Sequence, residues 1–278
     1  MRNFDELPAA QAIVSYQQRL ESKGIRAVQV TDLNLVIDLL EDMGALTNDI
    51  EAGGPYVTRW LDPRRNVLSS KTSFWIFLFD SSGKIVGKLG NRYDEIGRDS
   101  FYEFAARALG AIHTDDPERA PHERFPLIAE TISGNLAYCG DLYIDSAWRQ
   151  QRLVPDLIKL NYWIVASKWP RMDWAVNYVR ASHGVQFSWT DRHWMMFPET
   201  VDFSYPPSSP FRGHWFGCAT RRMFEELIAE EETQLQKEFL RSPLRAPDLP
   251  VSESLRRRER LQNGPQHQHQ ETRSAVYT

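Results

Sequence analysis

The 278-residue chain has only two cysteines, Cys139 and Cys218. That is too few for a disulfide framework, and the pair lacks metal-ligand spacing. Both sit in apolar runs, Leu-Ala-Tyr-Cys-Gly and Trp-Phe-Gly-Cys-Ala, which predicts buried free thiols. No stretch reaches the ~18 apolar residues of a membrane span. The opening Met1-Arg2-Asn3-Phe4-Asp5-Glu6 is too polar for a secretory leader. Together these absences predict a reducing, cytoplasmic location and no membrane partner. A basic excess is missing as well: 33 Lys and Arg against 37 Asp and Glu leave a net charge of −4, which argues against a nucleic-acid-wrapping protein.

Apolar and aromatic side chains are plentiful, at 42% and 12% of residues, so the chain can fill a core. Charge is unevenly spread. From Leu240 to Thr278 seven Arg face Asp248, Glu253, Glu259 and Glu271, a net of +3, which leaves −7 on the rest. That segment contains Pro243, Pro247, Pro250 and Pro265 and few apolar residues, so residues 241–278 are expected to form a flexible tail. Its Arg256-Arg257-Arg258-Glu259-Arg260 run reads as a solvated charge cluster, and His267-Gln268-His269 is too short for a metal site.

The elements follow from periodicity. Leu7 to Lys23 has helical spacing and stops at Gly24, giving an N-terminal helix within residues 1–24. Ile25 to Val30 alternates as a strand, and Thr31 is placed to cap a helix from Asp32 to Met43. Ser73 to Phe79, the Asp80-Ser81-Ser82-Gly83 turn and Lys84 to Gly90 predict a hairpin. Ser100 with Glu103 forms a capping box that opens a helix to about Gly110. Strands are expected over 135–145, 174–179, 200–205 and 213–219, with helices over 155–168 and 221–238. Pro155 suits a first helical turn, where its missing N–H is no loss.

The most informative stretch is Leu142-Tyr143-Ile144-Asp145-Ser146-Ala147-Trp148-Arg149-Gln150-Gln151-Arg152-Leu153-Val154-Pro155-Asp156-Leu157-Ile158. A hydrophobic strand runs into a polar-aromatic turn and then a helix. This segment, within residues 25–240, resembles the GNAT acyltransferase superfamily, whose pattern there is Arg/Gln-x-x-Gly-x-Gly/Ala. Arg149 takes the first place. The resemblance implies a mixed α/β fold with a mostly antiparallel central sheet flanked by helices, here carrying a helical insertion at about 96–134. It also implies acetyl-CoA or another acyl-CoA as co-substrate. Leu142, Tyr143 and Ile144 would pair with the pantetheine arm, and Arg149, Gln150, Gln151, Arg152, Leu153 and Val154 would meet the diphosphate. A helix N-terminus suits that anion because its amides are unpaired and its dipole end is positive.

The chain departs from the pattern at the glycine places, where Arg152 and Val154 stand, and Pro155 removes a further donor. Arg149 and Arg152 can offset lost amides by charge-assisted contacts. The family's Asn-Ala-Tyr element is also altered, with His183 near the Asn place and Trp189 near the Tyr place. Amine acylation needs a base for the ammonium proton and a donor for the leaving thiolate. Asp141, Asp145 and His183 are the candidate bases. Tyr178 and Tyr205 are the candidate donors, each also readable as a packed strand aromatic. Asp145 reads first as a turn residue, and Asp141, inside an apolar strand, as a solvated edge carboxylate or a functional one. Seven of the nine tryptophans lie between Trp148 and Trp215, where they either line an acceptor cleft or pack the core.

Three functions therefore stand open. The leading one is direct acyl transfer from acyl-CoA to a small-molecule or peptide amine, with no covalent enzyme intermediate; the negative body favours a cationic acceptor. A second is a catalytically silent GNAT-like binding module, suggested by the lost glycines and Tyr. A third keeps the fold but takes an aminoacyl-tRNA or carrier-protein thioester as donor, suggested by the Arg-rich tail. The N-terminal helix and the insertion exceed a minimal core and are placed to cover an acceptor site or form a homodimer contact.

Overall fold

The computed structural model describes residues 6–47, 54–58, 60–112, 125–180, 183, 193–201 and 214–241. Met1–Gln234 forms one compact unit. Of the second unit, Leu235–Thr278, only the stretch to Arg241 is described. In chain order the elements are α1 (Glu6–Glu21), β1 (Arg26–Val30), α2 (Leu33–Asp42), β2 (Ser73–Phe79), β3 (Ile85–Gly97), α3 (Phe101–Ile112), β4 (Gly134–Ile144), α4 (Leu153–Lys168), β5 (Trp174–Val179), β6 (Met195–Val201), β7 (His214–Thr220) and α5 (Arg221–Arg241). Short 3-10 turns cover Leu127–Glu130 and Ser146–Gln151. Among the described residues no helix is long and apolar enough to cross a membrane.

One seven-stranded sheet has the order β1-β2-β3-β4-β5-β7-β6. Every neighbouring pair is antiparallel except β4 and β5. A parallel pair needs a crossover, and α4 supplies it. The mixed α/β architecture, a mostly antiparallel sheet flanked by helices, is the one expected.

Both faces of the sheet are covered, which explains the unbroken apolar run Phe74 to Phe79 in β2. On one face Val36 and Leu40 of α2, Trp60, Leu61, Trp75, Phe77, Phe101, Tyr138, Val176, Phe216 and Cys218 form the main core. On the other lies α4, buried nearly all round its second half from Leu160 to Ala166. The sheet covers one side of that helix, and α1 and α5 cover the rest. Tyr162 packs edge-on to Phe224, Lys159 pairs with Glu231 at 2.8 Å, and the Tyr16 hydroxyl donates to the same Glu231 at 2.6 Å. Asn91 of β3 and Asn161 of α4 exchange two amide hydrogen bonds, at 2.8 and 3.0 Å, in a fully buried setting.

The capping box forms as expected: Ser100 donates its amide to the Glu103 carboxylate at 2.9 Å, and Glu103 returns its amide to Ser100 Oγ at 3.2 Å. Four expectations change. Asp32, not Thr31, caps α2, because its carboxylate reaches the amides of Asn34 and Leu35. β3 runs on to Gly97, well past Gly90, because β4 pairs with it as far as Gly134. α4 starts at Leu153, before Pro155. The sixth strand begins at Met195 rather than at residue 200; residues 202–213, which include Tyr205, lie outside the described set, as do Trp189 and the tail from 242.

Candidate functional site

The site begins where the parallel pair comes apart. β4 and β5 are in register for only three residues, Leu136–Tyr138 against Trp174–Val176. Beyond that β4 continues to Ile144 on β3, and β5 continues to Val179 on β7. Between Cys139 and Ile144 the edge of β4 that would face β5 is therefore open. In open sheets, ligands settle in such a crevice at the carboxyl ends of diverging strands.

Asp145 donates its amide to Val86 of β3 at 2.8 Å. Backbone groups alternate between the two edges of a strand, so the amide and carbonyl of Ile144 point to the open edge. Arg149 bears this out: its Nε donates to the Ile144 carbonyl at 3.1 Å, across the same opening. Arg149 is thus tied to the strand end by one nitrogen while its side chain remains exposed.

The turn after β4 is built by Asp145, which accepts from the Ala147 amide at 3.0 Å and pairs with Lys84 at 3.3 Å. The Ala147 amide holds its carboxyl below the ordinary carboxylate range, against a smaller opposing effect of burial. Asp145 is a turn residue, as its position suggested. Gln150, Gln151 and Arg152 are exposed, Val154 is half-buried, and Leu153 is buried, so only its backbone can meet a ligand.

Arg152 is the junction. Its φ of 53° and ψ of 45° lie in the left-handed region, where glycine is favoured. Arg152 thus follows a backbone path that a glycine would take without strain. The Arg152 side chain stays in solvent and makes no cap bond to α4. It therefore does not seal the first-turn amides of Leu153 and Val154, which have no intrahelical acceptor.

Upstream, β4 carries a bulge. Lys88 opposes Tyr143 and Gly90 opposes Gly140, so Leu89 alone faces Asp141 and Leu142. Asp141 adopts φ 55° in this bulge. Gly140 beside it is required, because a Cβ there would collide with the Tyr138 ring. Asp141 is buried, which corrects its reading as a solvated edge residue. One carboxylate oxygen accepts from the Thr58 amide at 2.9 Å, and the other, Oδ1, is buried with no hydrogen-bond partner among the described residues. Burial pushes its pKa up, opposed by the Lys88 charge and the Thr58 amide. Lys88 is itself fully buried; its Nζ donates to the Asp141 carbonyl at 3.0 Å and sits 5.6 Å from the Tyr56 ring centre. Burial lowers its pKa, against the attraction of Asp141. Sequence reasoning missed Lys88, since nothing in a hairpin pattern marks one lysine as buried. Tyr56 also stacks against Arg180 at 5.7 Å, so the 54–58 segment spans from β3 to the end of β5.

His183 lies four residues past β5 and is exposed, its amide bonded to the Arg180 carbonyl at 2.8 Å. Tyr178 packs between Tyr138 and Phe216. The tryptophans are largely structural: Trp163, Trp169 and Trp194 are buried, and Trp169 stacks on Tyr93. Cys139 is half-buried and Cys218 buried, both free, and burial pushes each thiol up to about 12. Among the described residues no cluster of His, Cys, Asp or Glu could hold a metal ion.

No family model and no curated protein matches the sequence. Among solved structures the chain is similar to FeeM, an N-acyl amino acid synthase from uncultured soil microbes. Identity is 9%, TM-score 0.42, and the match covers 73% of this chain and 93% of that one. It is also similar to arylalkylamine N-acetyltransferase 2 from Aedes aegypti, at 13% identity and TM-score 0.45, covering 71% and 99%. A third is the spermidine/spermine N-acetyltransferase SpeG from Vibrio cholerae, at 7% identity and TM-score 0.38, covering 73% and 96%.

Proposed function

We propose that this protein is an acyl-CoA-dependent N-acyltransferase that passes an acetyl or larger acyl group directly to an amine. The observation that carries the reading is the split between β4 and β5, open from Cys139 to Ile144 and ending at the N-terminus of α4. An extended thioester fits this layout. Its amide-bearing arm finds the Ile144 amide on the open edge. Its diphosphate finds the Leu153 and Val154 amides, the positive end of α4 and the exposed Arg149 and Arg152.

Chemistry then falls at the bulge. Asp141 is the base: Oδ1 has no hydrogen-bond partner among the described residues, and its raised pKa brings a carboxylate nearer to working pH. Because the Thr58 segment covers it, the ammonium proton reaches Oδ1 through a water that enters only as that segment gives way. The neutral amine attacks the thioester carbonyl, the C–N bond forms, the nitrogen gives up its second proton, the C–S bond breaks, and the thiolate takes up a proton. Tyr205 is the proposed donor for that last step, restored by the proton the nitrogen sheds, and His183 is the alternative base. The acceptor is a small-molecule or peptide amine, and the net negative body draws a cationic one.

Calorimetry with acetyl-CoA and with longer acyl-CoAs tests the reading. Micromolar binding is expected, weakened at least tenfold in R149E/R152E, about 1.4 kcal/mol or more. Silence of the wild-type chain across the series would leave a binding module of this fold, an outcome favoured by the amide that Pro155 removes. A response only to aminoacyl-tRNA or a carrier-protein thioester would transfer the donor role to those.

A further inference from the structure

The left-handed turn at Arg152 needs support that a glycine would not. A side chain in this region crowds its own carbonyl, and the conformation persists only where its surroundings hold it. The neighbours of Arg152 along the chain do not supply that support. Its own side chain is in solvent, and α4 has no side-chain cap.

The support comes from 129 residues away. Lys23, just past the end of α1, sends its Nζ to the Arg152 carbonyl at 3.0 Å. The same Nζ meets Asp156, in the first turn of α4, at 2.6 Å. Arg19, one turn earlier on α1, stands 3.8 Å from the other Asp156 oxygen. Lys23 thus bridges the two ends of the turn, the residue that opens it and the acid that follows it. The side chains are only partly exposed, 29% for Lys23 and 13% for Asp156, so the contact is sheltered from full solvent screening. The placement is otherwise costly, since a cation at a helix N-terminus opposes the macrodipole.

We infer that Lys23 is a positioning residue for the diphosphate-binding turn: it clamps Arg152 in the left-handed conformation that a glycine adopts unaided. The inference rests on the acyl-CoA reading for its functional consequence, though the clamp itself does not. Lys23 touches no reacting atom. By holding the Arg152 carbonyl it keeps the following amides, Leu153 and Val154, presented outward.

A double-mutant cycle of K23M and R152G in the full-length protein tests this. The first readout is hydrogen exchange, without ligand, at the Asp156 and Leu157 amides, whose helical acceptors are the Arg152 and Leu153 carbonyls. K23M is expected to speed exchange there about tenfold, and K23M in the R152G background less than twofold, since glycine holds the turn without the clamp. The second readout is the Kd for CoA, with the same pattern expected. A lysine that only stabilises the fold through Asp156 would give equal effects in both backgrounds, and that additivity would overturn the inference. D156N guards the comparison, because it removes the ion pair but keeps the bond to Arg152. Coupling of D156N to R152G as large as that of K23M would also overturn it. Should wild type bind no CoA while the exchange cycle shows coupling, the acyl-CoA reading fails and the clamp stands.

Discussion

The Asn91–Asn161 pair is the firmest place to test how α4 is held against the sheet. Both residues are essentially fully buried, at 0% and 1% exposure, and each donates to and accepts from the other. Replacing Asn161 by Leu removes both bonds. Asn91 is then left with an unsatisfied donor and acceptor in an apolar setting, at about 1–3 kcal/mol for each stranded group. The expected loss for N161L is therefore about 2–6 kcal/mol. N91L should cost a similar amount. The double variant N91L/N161L should cost far less than the sum, because two apolar groups facing one another strand nothing. A coupling energy of at least about 2–3 kcal/mol is expected, at the top of the range seen for directly contacting residues. Urea unfolding monitored by tryptophan fluorescence measures all four chains, with the slope checked for constancy. A single-variant cost under about 1 kcal/mol, or strict additivity in the double variant, would refute the claim that this pair pins the helix.

Asp141 gives a pH-dependent signature. Burial raises its pKa above the 3.8 of an exposed carboxyl, so between that value and the raised one the native state binds more protons than the unfolded chain. Its contribution to stability accordingly falls as pH rises through that window. D141N, which can still accept from the Thr58 amide, should match wild type near pH 4 and gain on it toward pH 7, yet lose acyl transfer; constant relative stability from pH 4 to 8 would show that the carboxyl carries no such cost. The thiols supply a third test. With both cysteines raised to about 12 by burial, only about one in ten thousand of either is thiolate at pH 8, so native protein should resist a thiol-reactive dye that labels both sites in denaturant. Rapid native labelling of Cys139 would mean that the Asn161 side of the sheet opens readily.

Local patterns carried much of this protein in plain view. The β2–β3 hairpin was legible because an apolar run, an Asp-Ser-Ser-Gly turn and a second apolar run interact within a few residues. The Ser100–Glu103 box, the Asp145 turn and the strand-turn-helix from Leu142 onward were legible for the same reason. Other features had no local signal. Asp32 displaced Thr31 as a cap by one residue, a matter of which carboxylate or hydroxyl met the amides. Core packing was the expected place for most of the tryptophans, and which ones it held was decided only by tertiary structure, which buries Trp163, Trp169 and Trp194.

What the amino-acid order determined alone was the succession of elements, since propensity, capping and turn chemistry act over short stretches. Tertiary structure decided the site. The bulge that buries Asp141 exists because β3 and β4 pair out of step, and the open edge exists because β5 leaves β4 for β7. Lys23 reaches Arg152 across 129 residues, and Asn91 reaches Asn161 across 70. Such contacts depend on chain closure and on which faces the sheet buries, and neither is encoded in the spacing of neighbouring residues.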